Sequence, residues 1–385
     1  MADPHLSPSY RHRALVRANH PAQRFDDQDL ASWRRRLIKS LRDVTGLGRI
    51  IAQERPPLRV RRLWSMEHEL GTIEKIQFCC EPGCDATAFV CSPHGLRGKQ
   101  PWMVCLQGHT TGAHVSVARD RDDHGKSIEV AGDRDFGLQC LERGIPALCL
   151  EQRCFGDRRE QAQSRCGGNT CHDGSMQALM LGRTMVAERV YDVDRALDYL
   201  WTRKDVDRKR VGVMGNSGGG KVTIFASALL KRIQFAMPSC SFCSFDASSM
   251  SVYHCSDNYV PGLLLIAEMG DVLGCLAPKP VVVVAGKEDP LFPIRAVRSE
   301  FRLLKRIYAA AGAADRLRLV VGGEGHQFYA EAGWRAARRL FGLIPEMVPV
   351  APFRVPGYGC PIPRLTRLLA YASQRRPTRA AATRP

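Results

Sequence analysis

Six short apolar runs punctuate the chain: WMVCLQ (102–107), IPALCL (145–150), VGVMG (211–215), FAMPS (235–239), VVVVAG (281–286) and LRLVVG (317–322). A strand that is apolar at every position, rather than at alternate ones, has to be covered on both faces. Strands of that kind with helices between them pair in parallel, because a crossover needs a dozen or more residues and a helix supplies them. The pattern predicts an α/β chain with a mostly parallel central sheet and helices on both faces. Helices are expected over 131–143, in a long stretch ending near Trp201, after Ser217, over 294–311 and over 327–341. Upstream, residues 58–92 read as antiparallel strands joined by short turns.

Ahead of that domain, Leu30, Trp33, Leu37, Leu41 and Val44 recur at steps of three and four and predict an amphipathic helix starting from Asp29. Asp26, Asp27 and Asp29 suit its start, and Gly46 and Gly48 its end. Residues 1–25 show no periodicity and are expected to be a loose lead-in. The expected organisation is an N-terminal basic arm over 1–57, an α/β domain over 58–347 and a flexible Pro- and Arg-rich tail over 348–385.

A net charge of +17 raises the question of nucleic acid. The charge lies at the ends: residues 1–63 hold 14 basic against 6 acidic residues, and residues 351–385 hold 7 Arg and no acid. The remainder, with 35 basic and 33 acidic residues, is nearly neutral. No zinc-finger, RRM or KH pattern accompanies it, so no specific nucleic-acid partner is expected. No apolar run is long enough to span a bilayer, and the first thirty residues lack the apolar segment of a secretory signal, so a cytoplasmic location is expected. The fifteen cysteines should then be thiols. Of the clusters Cys79/Cys80/Cys84, Cys166/Cys171/His172 and Cys240/Cys243, only the last has CxxC spacing, and no second half-site pairs with it.

The segment VGVMGNSGGGKVTIFAS carries the chemistry. Gly215–Asn216–Ser217–Gly218–Gly219 is a GxSxG between a predicted strand and a predicted helix, the setting of a nucleophile elbow. The serine occupies a strained turn that needs small neighbours, and the following helix aims its first N–H groups at a developing oxyanion. The same residues fit GxxxxGK, the phosphate-cradling loop, through Gly215 and Lys221. However, Val222 stands where a magnesium-binding hydroxyl belongs, and Thr223 comes one position late.

A triad would need an acid and then a histidine later in the chain. VVVVAG is followed at once by Lys287–Glu288–Asp289, and LRLVVG by Gly323–Glu324–Gly325–His326. Both lie past the carboxyl ends of predicted parallel strands, where α/β active sites form. Ser217 is thus the expected nucleophile, His326 the base and Asp289 its partner, with Glu288 as the fallback acid. The expected oxyanion donors are the N–H of Gly218 and that of His109, in the loop Gln107–Gly108–His109–Thr110. Gln107 and Gly108 are candidate substrate-binding residues. So are His254 and Tyr259, in the irregular stretch from Pro238 to Gly262 that also holds Tyr253, Asp257 and Asn258. Arg153, Arg158 and Arg159, in the polar loop 151–175, are expected on a solvated face.

The segments LQGHTTG, GNSGGG, HCSDNYVPGLL, AGKEDPLFP and GEGHQF make the chain resemble the α/β-hydrolases grouped with acetyl xylan esterases and dienelactone hydrolases, over about residues 30–345. The resemblance implies an α/β-hydrolase fold and a serine esterase that needs no metal or cofactor, acting on a small-molecule ester. It also implies Ser217, Asp289 and His326 as the triad. Characterised members tend to carry RGQ, GxSQGG and HE where this chain has Glu151–Gln152–Arg153, Ser217–Gly218–Gly219 and His326–Gln327. These departures count against xylan or cephalosporin deacetylation and leave the triad residues untouched. The same triad also serves acyl transfer, thioester cleavage and peptide cleavage. A non-catalytic binding protein and a nucleotide-binding protein are the readings outside hydrolase chemistry.

Overall fold

The computed structural model describes residues 6–109, 111–160 and 170–342. The chain opens with three helices, α1 (Pro8–Ala18), α2 (Leu30–Thr45) and α3 (Leu47–Ile51), followed by strands β1 (Arg61–His68), β2 (Gly71–Glu81), β3 (Cys84–Pro93) and β4 (Gln100–Leu106). Next come α4 (Phe136–Glu142), β5 (Ala147–Leu150), α5 (Thr170–Met180), α6 (Met185–Thr202), β6 (Val206–Asn216), α7 (Gly218–Leu229) and β7 (Phe235–Ser239). The remainder is α8 (Leu263–Ile266), α9 (Met269–Gly274), β8 (Val281–Gly286), α10 (Ile294–Ala310), β9 (Leu317–Gly322) and α11 (Ala330–Phe341).

The nine strands form one sheet in the order β1-β2-β3-β5-β4-β6-β7-β8-β9. The pairs β5–β4, β4–β6, β6–β7, β7–β8 and β8–β9 are parallel. β1–β2, β2–β3 and β3–β5 are antiparallel, so the sheet is mixed, with a meander at one edge. The runs that were apolar throughout are the central strands; every residue of β5, β7 and β8 is buried. One face carries a core built from α2, α3, α6, α7, α9 and α10, and the other a smaller core with Phe136 of α4 and Trp334 and Phe341 of α11. From β4 the chain moves to one side, into β5, and then crosses to the other, into β6. Strand order therefore reverses at β4, and the loops leaving β4 and β6 diverge to open a crevice at their carboxyl ends.

α2 follows from its stripe. Asp29 caps it, its carboxylate accepting from the Ser32 N–H at 2.8 Å, and Gly46 ends it with φ +77°. Trp33, Leu37 and Leu41 are wholly buried in the larger core, so the arm is part of that core. Two expectations change here. The lead-in contains the regular helix α1, whose residues are all at least partly exposed, so no apolar periodicity announces it. The long helix ending near Trp201 is α6, but the expected polar loop ahead of it gives way to a further helix, α5, set off from α6 by Gly182, whose φ is +67°. The expected tail over 348–385 lies outside the described residues. No helix among those described is long and apolar enough to cross a membrane.

Candidate active site

Ser217 stands between β6 and α7 with φ +56° and ψ −120°, a conformation that costs a non-glycine residue of order 1–3 kcal/mol and persists only where its surroundings enforce it. They do so here. Its N–H donates to the Ser239 carbonyl at 2.9 Å, and its own carbonyl accepts the first helical bond from Lys221 N–H. A Cβ on Gly219 would fall 2.2 Å from the Leu106 carbonyl oxygen, and one on Gly215 would fall 2.6 Å from Gly219. The glycines of GNSGGG thus let β4, β6 and the start of α7 touch backbone to backbone. That packing fills the space a phosphate cradle would need. Lys221, the would-be phosphate ligand, is buried in the core with its Nζ 3.2 Å from the Asn258 carbonyl oxygen. Burial pushes that ammonium down to about 8. The phosphate-loop reading fails on both counts.

His326 and Asp289 meet. Nδ1 of His326 lies 2.8 Å from Oδ2 of Asp289, whose side chain is almost fully buried while the histidine remains a quarter exposed. Oδ1 of Asp289 accepts from the N–H groups of Leu291 (2.9 Å) and Phe292 (3.3 Å). Burial works against the ionised carboxyl, but these bonds and the imidazole outweigh it and hold Asp289 below the usual carboxylate range. Phe292 stacks on the His326 ring at 5.8 Å. Cys240, in a left-handed conformation, bonds the Gln327 carbonyl, and burial beside Asp289 pushes its thiol up to about 12. Glu288 instead points outward beside Lys287, with 67% of its side chain exposed.

The loop after β4 lies against the serine: a Cβ on Gly108 would be 3.0 Å from the Cβ of Ser217 and 3.7 Å from its Oγ. Gln107 is buried and points away from the crevice, its amide donating to Ser116 Oγ and the Arg134 carbonyl; it shapes the loop. The His109 ring is mostly buried, with Nε2 2.8 Å from both carboxylate oxygens of Asp257. Arg189 of α6 binds the same carboxylate. Despite the cost of burial, Arg189 and His109 hold Asp257 well below the usual range. His254 bonds Ser248 Oγ at 2.9 Å and packs edge-on against Phe292. Burial and the neighbouring Lys221 lower it to about 4, so it is neutral at pH 7. Tyr259 bonds the Ser249 carbonyl and lines a cavity of about 330 Å³ walled by Phe245, Met250, Leu263 and Leu265.

Two arrangements went unforeseen. Arg153 and Arg158 are not on a solvated face; both are buried and converge on Asp192, with Glu188 and Glu81 also on Arg153. Their carboxylate partners come from β2 and α6, remote in sequence. Arg159 alone of the three is well exposed. The His109–Asp257–Arg189 cluster was also unseen, although Asp257 stood out as a pocket residue; the glycine after Ser217 was its one local signal. Among the described residues, two sets of three groups have ligand-like spacing, His109/Cys255/Asp257 and Cys240/Asp289/His326. In each, the carboxylate is already bound by protein donors.

A strained serine elbow at a strand-order reversal in a mostly parallel sheet defines the α/β-hydrolases, and this chain has that fold. The family model for acetyl xylan esterase matches residues 138–260, a stretch that takes in the elbow and Asp257 and ends before Asp289. The chain is 27% identical over 304 residues to the protein named "Putative hydrolase YtaP" of Bacillus subtilis (strain 168), covering 77% of this chain and 93% of that one. Its structure is similar to that of a "putative acetyl xylan esterase" from Bacteroides fragilis NCTC 9343 (TM-score 0.68, 17% identity, 82% of each chain). It is also similar to a glucuronoyl esterase from Solibacter usitatus (TM-score 0.58, 16% identity, 80% of this chain and 91% of that one). The chain has the α/β-hydrolase fold, resembles the acetyl xylan esterases over residues 138–260, and is a carboxylic ester hydrolase.

Proposed function

We propose that the chain hydrolyses esters of small acyl groups, acetyl foremost, through an acyl-Ser217 intermediate. Ser217 Oγ adds to the ester carbonyl carbon as its proton passes to Nε2 of His326, and the carbonyl π pair moves onto oxygen. The bond to the alcohol then breaks, and the alcohol leaves with the proton from His326. Water repeats the sequence on the acyl-enzyme and releases the acid. Asp289 holds the imidazole in one tautomer and stabilises its charged form. The N–H groups of Gly218 and His109 receive the oxyanion, and His254 and Tyr259 wall the substrate side. The observation that carries this reading is the His326–Asp289 pair at the ends of β8 and β9, in the same sheet whose β6 delivers the strained Ser217.

The test is a fluorophosphonate probe together with p-nitrophenyl esters of rising acyl length. Labelling at Ser217 that is lost in Ser217→Ala, with turnover falling as the acyl chain grows, supports the reading. Full turnover in Ser217→Ala overturns it. Ten of the described cysteines, Cys79, Cys80 and Cys91 among them, are reduced thiols, which supports an intracellular location, to be checked by cell fractionation.

A further inference from the structure

The last strand of the sheet, β9, pairs with β8 alone, so among the described residues the backbone groups along its outer edge have no strand partner. Six cations flank that edge. Arg298, Arg302 and Lys305 recur at steps of four and three along α10 and share one exposed stripe of that helix. Arg335 and Arg339 do the same on α11, and Arg318 stands exposed on β9 itself. α10 packs on one face of the sheet and α11 on the other. With β9 they bound two hollows, of about 630 Å³ on the α10 side and about 290 Å³ on the α11 side, and Arg318 lines both. β9 also exposes the apolar side chain of Val321.

This charge is not neutralised within the fold. Among the described residues, the one ion pair in the set joins Arg335 to Glu331. Arg302 donates to Ser299 Oγ, the Lys305 ammonium lies over the Phe301 ring, and Arg318 donates to the main-chain carbonyls of Asp315 and Leu317. Like charges at a bare edge keep a second copy of the chain from pairing there. The same charges complement an acidic strand. Successive side chains of an added strand point to opposite faces of the sheet, so acids at adjacent positions would meet the α10 cations and the α11 cations in turn. A flexible polyanion such as nucleic acid would answer the charge but leave the edge unpaired. We propose that β9 is a docking edge for an extended acidic segment of a partner protein, which adds to the sheet as a further strand with its carboxylates over the two basic hollows.

The probe is a fluorescein-labelled peptide of Glu, Val and Thr with glutamates at adjacent positions, added to the full chain and followed by anisotropy. Its controls are the same peptide with N-methylated backbone amides, which keeps the charge but cannot pair, and a single-stranded oligonucleotide of equal charge. Saturable binding of the peptide that weakens with added salt is expected, with the N-methylated form bound at least about tenfold more weakly. Arg302→Glu on one face and Arg339→Glu on the other should each weaken the peptide roughly three- to tenfold. Both positions are exposed, so turnover of p-nitrophenyl acetate by either variant should stay within about twofold of wild type, which also checks that they fold. Equal binding of the N-methylated peptide, or tighter binding of the oligonucleotide, would show a general anion surface and overturn the proposal. So would wild-type affinity in both variants, or no saturable binding at about 0.15 M salt. A dimer in sedimentation that excludes the peptide would assign the edge to a second copy, and the proposal falls.

Discussion

At the scale of single residues, the site works by holding a few groups in states they would not adopt in water. Ser217 is strained, Asp289 is kept ionised although buried, and His326 is oriented by a 2.8 Å bond and a stacked phenyl ring. His326→Ala removes the proposed base, and Asp289→Asn lets its imidazole turn to the wrong tautomer. Each is expected to lower ester turnover by roughly 10³-fold or more while leaving circular dichroism and the melting temperature close to wild type. Turnover within tenfold of wild type in His326→Ala would remove it as the base. Much of this site was legible in the sequence, since an elbow and the order serine, acid, histidine are local patterns tied to strand ends. The clamp on His109 was not, because its partner is 148 positions away and nothing in either segment names the other.

At the scale of elements, α2 and α6 show how far a helix serves the rest of the fold. Leu37 lies in the middle of the α2 stripe and is fully buried in the larger core, far in sequence from any site residue. Leu37→Ala is expected to cost about 2–5 kcal/mol in urea unfolding and to leave kcat/KM on p-nitrophenyl acetate within twofold. α6 carries Asp192, wholly buried between Arg153 and Arg158 and ionised far below its usual pH range. Asp192→Asn strands two buried guanidinium groups and is expected to cost about 3–5 kcal/mol. A loss under 1 kcal/mol would mean that Glu81 and Glu188 alone satisfy both arginines.

For the whole molecule, the joint between the arm and the main body is also a pH-sensitive element. Phe25 N–H donates to Asp271, which closes a capping box with Glu268 at the start of α9, and Glu300 lies beside them on α10 with Arg24 on its carboxylate. Burial raises Glu268 from 4.5 to about 7 and Asp271 from 3.8 to about 6. Both carboxyls keep their protons to higher pH in the fold than in the unfolded chain, so folding takes up protons in that window. Their contribution is therefore greatest below about pH 4.5 and declines as pH rises to about 7, the reverse of an ion-paired carboxylate. Glu268→Gln cannot ionise, so its stability relative to wild type should rise between pH 5 and pH 8, by up to about 3 kcal/mol. Urea midpoints at the two pH values check this; a difference that does not change with pH would show that Glu268 stays neutral throughout.

Periodicity and punctuation were enough to establish the α/β class, the central strands, α2 with its cap and the elbow, because each depends on neighbours within a turn or a strand. They did not reveal α1, which has no buried face to mark it, or that β3 runs antiparallel to β5, which makes the sheet mixed. Nor did they show that Arg153 and Arg158 turn inward. Whether a charged side chain is solvated or buried depends on which carboxylates the fold brings to it, and that pairing exists only once β2, the loop after β5 and α6 have packed together. The same holds for the His109 ring over Gly218: chain order supplied the candidate reacting groups, but long-range packing chose what surrounds them.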